Sequence, residues 1–217
     1  MKAGLKPIGP HAGQPVLTRG APLSSARAAM ILVHGRGGSA DDMLGLASEL
    51  PATGFAFLAP EAAGHTWYPN RFLAPIESNE PGLSSALSVL GSIEANVIEA
   101  GISPELVFLL GFSQGACLVL EYVARNARRL GGVVGLSGGL IGPDSTPRDY
   151  LGTLDGTPVF MGCSDVDPHI PVERFQQSAE VLGRLGAKVT ARLYPGMGHT
   201  VNDDEIAAVA TMIRAAG

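Results

Sequence analysis

Leu106-Val107-Phe108-Leu109-Leu110-Gly111-Phe112-Ser113-Gln114-Gly115 is the stretch on which the fold turns. An apolar run of strand type ends in a G-x-S-x-G pattern, and a helical pattern follows at once. Ala116, Val119, Leu120, Val123, Ala124 and Ala127 recur at helical spacing, with Arg125, Arg128 and Arg129 toward the end. A serine between a strand and a helix sits on a tight turn that lifts its hydroxyl out of the sheet. Glycines flank it because side chains there would crowd the turn. The pattern marks a nucleophile and points to acyl transfer or ester hydrolysis. Gly135-Leu136-Ser137-Gly138-Gly139 repeats the motif, but Leu140-Ile141-Gly142-Pro143-Asp144 is turn chemistry. Ser113 is therefore the expected nucleophile, and Ser137 reads as a small residue at a strand end.

Outward from this centre, apolar runs and helical patterns alternate, which predicts an α/β fold around a mostly parallel sheet. Strands are expected at Ala28–Val33, Phe55–Leu58, Leu106–Leu110, Val133–Leu136, Val159–Met161 and Val189–Tyr194. Helices are expected at Asp41–Leu50, with Ser39 as candidate N-cap, and at Gly82–Ala100, Val172–Leu185 and Asp203–Ala215. The strands near residues 31, 108, 134, 160 and 191 lack polar alternation and read as buried on both faces. The Pro- and Gly-rich residues 1–25 are expected to add an antiparallel edge hairpin around Val16–Arg19. The chain of 217 residues suits one domain spanning 1–217.

Composition excludes several classes. Hydrophobic residues make up 46% of the chain, enough for a large core, so disorder is not expected. The formal net charge is −5 with no basic stripe, so nucleic acid is not an expected partner. No apolar stretch reaches the ~18 residues of a membrane span. Lys2 and Lys6 are not followed by an apolar signal-peptide core, and a cytoplasmic location is the default. Cys117 and Cys163 read as buried free thiols, and no Cys/His spacing resembles a zinc site. His34-Gly35-Arg36-Gly37-Gly38-Ser39 follows a strand, but it lacks both the dinucleotide fingerprint and the P-loop lysine. The sequence leaves a homodimer open.

A serine nucleophile needs a base and a carboxylate that orients it. In chain order the acid and then the histidine follow the serine, each on a loop after a strand. His199, in Pro195-Gly196-Met197-Gly198-His199, lies between the last strand and the last helix; His169 lies too near the acid loop. Asp165 and Asp167 both occupy the loop after Val159–Met161, and spacing does not choose between them. Two amides must face the developing oxyanion. Gln114, after the nucleophile, is one candidate, and Arg36, in the loop after the first buried strand, is the other. The Arg36 side chain reads either as solvated charge or as an attractor of an anionic substrate. Residues 60–81 form a loop longer than the ~12–15 residues usual for passive connections. Its Trp67, Tyr68 and Phe72 are expected to line the acyl pocket, the alternative for Trp67 being a plug in the core.

The motifs L-V-H-G-R-G-G, G-F-S-Q-G-A, L-S-G-G-L, D-V-D-P-H-I-P and Y-P-G-M-G-H together resemble the phospholipase/carboxylesterase family of α/β-hydrolases. That family includes acyl-protein thioesterases and small bacterial carboxylesterases. The resemblance covers about residues 28–215. It implies an α/β-hydrolase fold with helices on both faces of the sheet, and a serine carboxylesterase acting on small esters without metal or organic cofactor. It implies Ser113 as nucleophile, Asp167 as acid, His199 as base, and Gln114 and Arg36 as oxyanion donors. Arg36 stands where many acyl-protein thioesterases carry leucine. Acyl thioesterase and lysophospholipase are the neighbouring activities, and an α/β-hydrolase-fold binding protein is the non-enzymatic alternative.

Overall fold

The computed structural model describes residues 7–215, so Lys2 and Lys6 lie outside the described residues. Seven strands form one sheet: β1 Val16–Gly20, β2 Ala28–Val33, β3 Phe55–Pro60, β4 Val107–Phe112, β5 Gly132–Leu136, β6 Pro158–Ser164 and β7 Lys188–Tyr194. Their spatial order is β1-β3-β2-β4-β5-β6-β7, parallel throughout except for β1, which runs antiparallel to β3. Among the described residues four α-helices lie between strands, α1 Ala40–Ala47, α2 Gly82–Glu99, α3 Gln114–Arg125 and α4 Val172–Arg184, and α5 Asp203–Ala215 follows β7.

Side-chain alternation divides the core between the two faces of the sheet. Ala29, Ile31 and Val33 of β2 join Val107 and Leu109 of β4 under Leu83, Leu90, Leu118 and Val181 of α2, α3 and α4. Ala28, Met30 and Leu32 join Phe108 and Leu110 on the other face, under Met43 and Leu44 of α1 and Val209 and Ile213 of α5. Every residue of β2 is buried, which is why it reads as an uninterrupted apolar run.

Two expectations need correction. Val16–Gly20 is an edge strand and not half of a hairpin: it pairs with β3, with Val16 opposite Pro60, and β2 lies on the far side of β3. β7 is mostly exposed instead of buried on both faces, because among the described residues it pairs only with β6 and forms the other sheet edge.

Sequence and fold meet at the Ser113 turn. Ser113 has φ 54° and ψ −118°, a backbone conformation unfavourable for any L-residue other than glycine. The turn closes because α3 packs against the strand it leaves. A Cβ on Gly111 would lie 2.3 Å from the Gly115 carbonyl oxygen, and one on Gly115 would lie 2.1 Å from that of Val33. Ser39 caps α1 through a reciprocal capping box with Asp42.

Candidate active site

Ser113 leaves the carboxyl end of β4, and its hydroxyl enters a cleft of about 580 Å³. Ser137 shares the positive φ, 53°, at the end of β5, but has the opposite surroundings. It is fully buried, its hydroxyl has no hydrogen-bond partner among the described residues, and it does not line the cleft. The chain after it packs on α3, where a Cβ on Gly138 would lie 2.5 Å from the Ala116 Cβ.

The loops after β6 and β7 bring two side chains to Ser113. His199 Nε2 lies 2.8 Å from Ser113 Oγ, and His199 Nδ1 lies 2.7 Å from Asp167 Oδ2. An ionised carboxylate only accepts, so Nδ1 carries the proton and Nε2 is left to accept from the serine hydroxyl. The other Asp167 oxygen accepts the amides of His169 at 2.8 Å and Ile170 at 3.1 Å. Burial disfavours the charge on Asp167, but the bonds from His199 and these two amides outweigh it and hold the carboxyl below its usual range. Asp165 faces elsewhere: its Oδ1 accepts the Gly196 amide at 2.8 Å and braces the histidine loop. The Ser164 hydroxyl, donating to the Met197 carbonyl, ties the same two loops. His169 makes no bond to Ser113; its ring stands edge-on to His199 with centroids 4.8 Å apart.

The loop after β2 leaves one amide open. Gly37, Gly38, Ser39 and Ala40 donate to the His65 carbonyl, the Gly35 carbonyl, Asp42 and Glu61 respectively. The Arg36 amide has no acceptor among the described residues, and neither has the Gln114 amide at the first position of α3. Both therefore remain available to an anion, and the helix terminus adds partial positive charge.

The long 60–81 loop is held by side chains from both of these segments. Gln114 accepts the Trp67 amide at 2.9 Å and donates to the Tyr68 carbonyl at 2.8 Å. The Arg36 guanidinium is not merely solvated: it donates to the carbonyls of Tyr68, Pro69 and Asn70 at 2.7–3.0 Å. Tyr68 and Phe72 line the cleft with Cys117 and Ile170, whereas Trp67 does not. Trp67 is fully buried, its Nε1 donates to the His34 carbonyl at 2.9 Å, and its ring lies between His11 and His34. Trp67 is thus the core plug and not a pocket wall, because its single polar atom is satisfied inward.

Two histidines that sequence reasoning passed over complete this scaffold. His11 Nδ1 accepts the Ala63 amide at 3.1 Å while Nε2 donates to the Trp67 carbonyl at 2.8 Å. His34 Nδ1 donates to the Gly35 carbonyl at 2.7 Å while Nε2 accepts the Ala62 amide at 3.1 Å. Burial lowers the pKa of both, so each is a neutral, two-sided connector. Only the position of His34, next to the glycine-rich loop, offered a signal in the sequence.

Residues 20–216 match the phospholipase/carboxylesterase family. The chain belongs to that family. Among solved structures, a phospholipase/carboxylesterase from Dyadobacter fermentans superposes with a TM-score of 0.91 at 41% identity, covering 96% of this chain and 99% of that one. Acyl-protein thioesterase 1 of Saccharomyces cerevisiae is 32% identical over 89% of this chain and 95% of its own length. Acyl-protein thioesterase 1 of Gibberella zeae is 39% identical over 54% of this chain, a match that spans 51% of that relative. The seven-stranded sheet with helices on both faces is the α/β-hydrolase fold of the phospholipase/carboxylesterase family. Among the described residues, no helix is long and apolar enough to cross a membrane, and no three His, Cys, Asp or Glu side chains are grouped to hold a metal ion.

Proposed function

We propose that this phospholipase/carboxylesterase family member is a serine esterase that hydrolyses small carboxylic esters through an acyl-enzyme. One observation carries the reading: the His199 ring, bonded to Asp167 at one nitrogen and to Ser113 at the other. A ring fixed in that tautomer serves as a base toward the hydroxyl. As Ser113 Oγ attacks the ester carbonyl, its proton passes to His199 Nε2. The Arg36 and Gln114 amides stabilise the tetrahedral oxyanion, and Asp167 stabilises the imidazolium. The C–O bond to the alcohol then breaks and the alcohol departs with the proton from His199. Water, deprotonated by His199, attacks the acyl-Ser113 carbonyl. The carboxylic acid leaves and the serine regains its proton.

Tyr68, Phe72 and Ile170 form the apolar part of the cleft and are the proposed acyl contacts. A second reading, acyl-thioester hydrolysis, is favoured by the names of the yeast and Gibberella relatives. The same acyl-enzyme accepts a thiolate as leaving group. Turnover of matched p-nitrophenyl butyrate and butyryl thioester by wild type and Ser113→Ala tests both. The expected outcome is oxyester turnover that falls by about 10⁶-fold in Ser113→Ala. A preference for the thioester would select the second reading, and full activity in Ser113→Ala would remove both.

A further inference from the structure

The cleft carries a charge that is at odds with the molecule. The chain has 20 acidic against 15 basic residues, yet among the described residues the cleft lining includes Arg36 and Arg71 and no aspartate or glutamate. The Asp167 carboxylate keeps its charge, but its side chain is fully buried behind His199, accepts from that ring and two amides, and does not line the cleft.

The two arginines are positive groups without a counter-ion. Arg36 spends three donors on the neutral carbonyls of Tyr68, Pro69 and Asn70, which fixes the guanidinium on the cleft wall and leaves its charge intact. A guanidinium has five N–H donors, so donors remain for a ligand. Arg71 follows directly on the same loop, is exposed, and makes no side-chain hydrogen bond or ion pair among the described residues. Neither arginine has an Asp or Glu within ion-pair distance among the described residues, although five other arginines of this chain do. Two uncompensated guanidiniums beside a half-apolar cleft, Arg36 held in place and Arg71 free to reach a ligand, are suited to a carboxylate or phosphate, which they bind with charge-assisted hydrogen bonds.

We infer that the cleft selects esters that carry an anionic group, a carboxylate or a phosphate, which Arg36 and Arg71 receive while the ester carbonyl sits at Ser113. This substrate class rests on the esterase reading above. The charge enters through the acyl chain or through the alcohol, and matched ester pairs separate the two. On the acyl side, mono-p-nitrophenyl glutarate is compared with p-nitrophenyl pentanoate. On the alcohol side, the butyrate ester of p-hydroxybenzoate is compared with that of methyl p-hydroxybenzoate.

The quantity to read is the ratio of kcat/KM for the anionic ester to that for its neutral partner. In wild type one pair favours the anionic ester, and that pair identifies where the charge belongs. The ratio drops by about tenfold in Arg71→Gln, whose side chain holds no loop in place. It drops in the same direction in Arg36→Gln, and in wild type at about 0.5 M sodium chloride, where screening is strong. Ratios that favour the neutral ester in both pairs, or that stay the same in Arg71→Gln, would overturn the inference and leave the esterase reading standing. No turnover of any of the four esters would overturn the esterase reading, and the inference with it.

Discussion

At the scale of single residues, the loop after β6 separates two aspartates that the sequence treats alike. Asp167 orients the His199 ring, while Asp165 holds the Gly196 amide. Asp167→Asn is therefore expected to lower ester turnover by about 10⁴-fold, since a neutral amide no longer enforces the productive tautomer. Asp165→Asn loosens one loop contact and is expected to cost far less. Steady-state kinetics of the two variants side by side check this, and a larger loss in Asp165→Asn would refute it. Trp67 makes a different prediction. A fully buried indole that joins the N-terminal segment to the H-G loop contributes packing first. Trp67→Ala is expected to lower stability by about 3–5 kcal/mol in a urea titration. The loss would be absent if the ring stood free in the cleft. Reading Trp67 as a pocket wall failed for a physical reason. Its partner is a main-chain carbonyl 33 positions away, and no local pattern reports such a bond.

At the scale of elements, the start of α5 shows how the histidine loop is anchored. Asn202 and Glu205 form a reciprocal cap: the Asn202 amide donates to Glu205 Oε2 and the Glu205 amide to Asn202 Oδ1, each at 2.9 Å. The other Glu205 oxygen is buried, without a hydrogen-bond partner among the described residues, against Gly162 of β6, where a Cβ would lie 2.1 Å away. Burial pushes the Glu205 carboxyl up to about 7, from an ordinary 4.5, with the nearby Asp204 charge adding to the rise and the Asn202 amide opposing it. A folded-state pKa raised in this way gives stability that is complete below about pH 4.5 and is lost as pH rises through about 7. His11 and His34 act in the opposite sense, because their lowered values give stability that is present above about pH 6.5 and lost on acidification. A comparison with Glu205→Gln isolates the first effect. The variant is expected to gain stability relative to wild type between pH 5 and pH 8, by the order of a few kcal/mol. Urea melts of both proteins at the two pH values measure it, and an equal difference at both would contradict the buried-acid account. Elements were legible where the burial pattern is regular: Ala28–Val33 is an unbroken apolar run, and Val172 onward repeats one buried face at helical spacing. β7 was misread because Val189, Ala191 and Leu193 resemble a buried run, although only a strand beyond it could have covered its outer edge.

At the scale of the whole molecule, the parallel sheet gathers the site. The carboxyl ends of β4, β6 and β7 supply Ser113, Asp167 and His199, and the loop after β2 supplies the open Arg36 amide. Open α/β sheets bind ligands at that edge because every βα loop emerges there. This explains why the order of motifs in the sequence was so informative: each one ends a strand, so each is delivered to the same edge. What the sequence did not disclose is the bracing of the 60–81 loop by Gln114, Arg36 and His11, since those bonds join segments far apart in the chain. This assembly marks Ser113 as the proposed nucleophile, although Ser137 shares both its motif and its positive φ. Reaction with a fluorophosphonate, followed by peptide mapping by mass spectrometry, tests it most directly. A single adduct on Ser113 is expected, with loss of ester turnover in step with labelling. An adduct on Ser137, or turnover that survives complete labelling of Ser113, would contradict it.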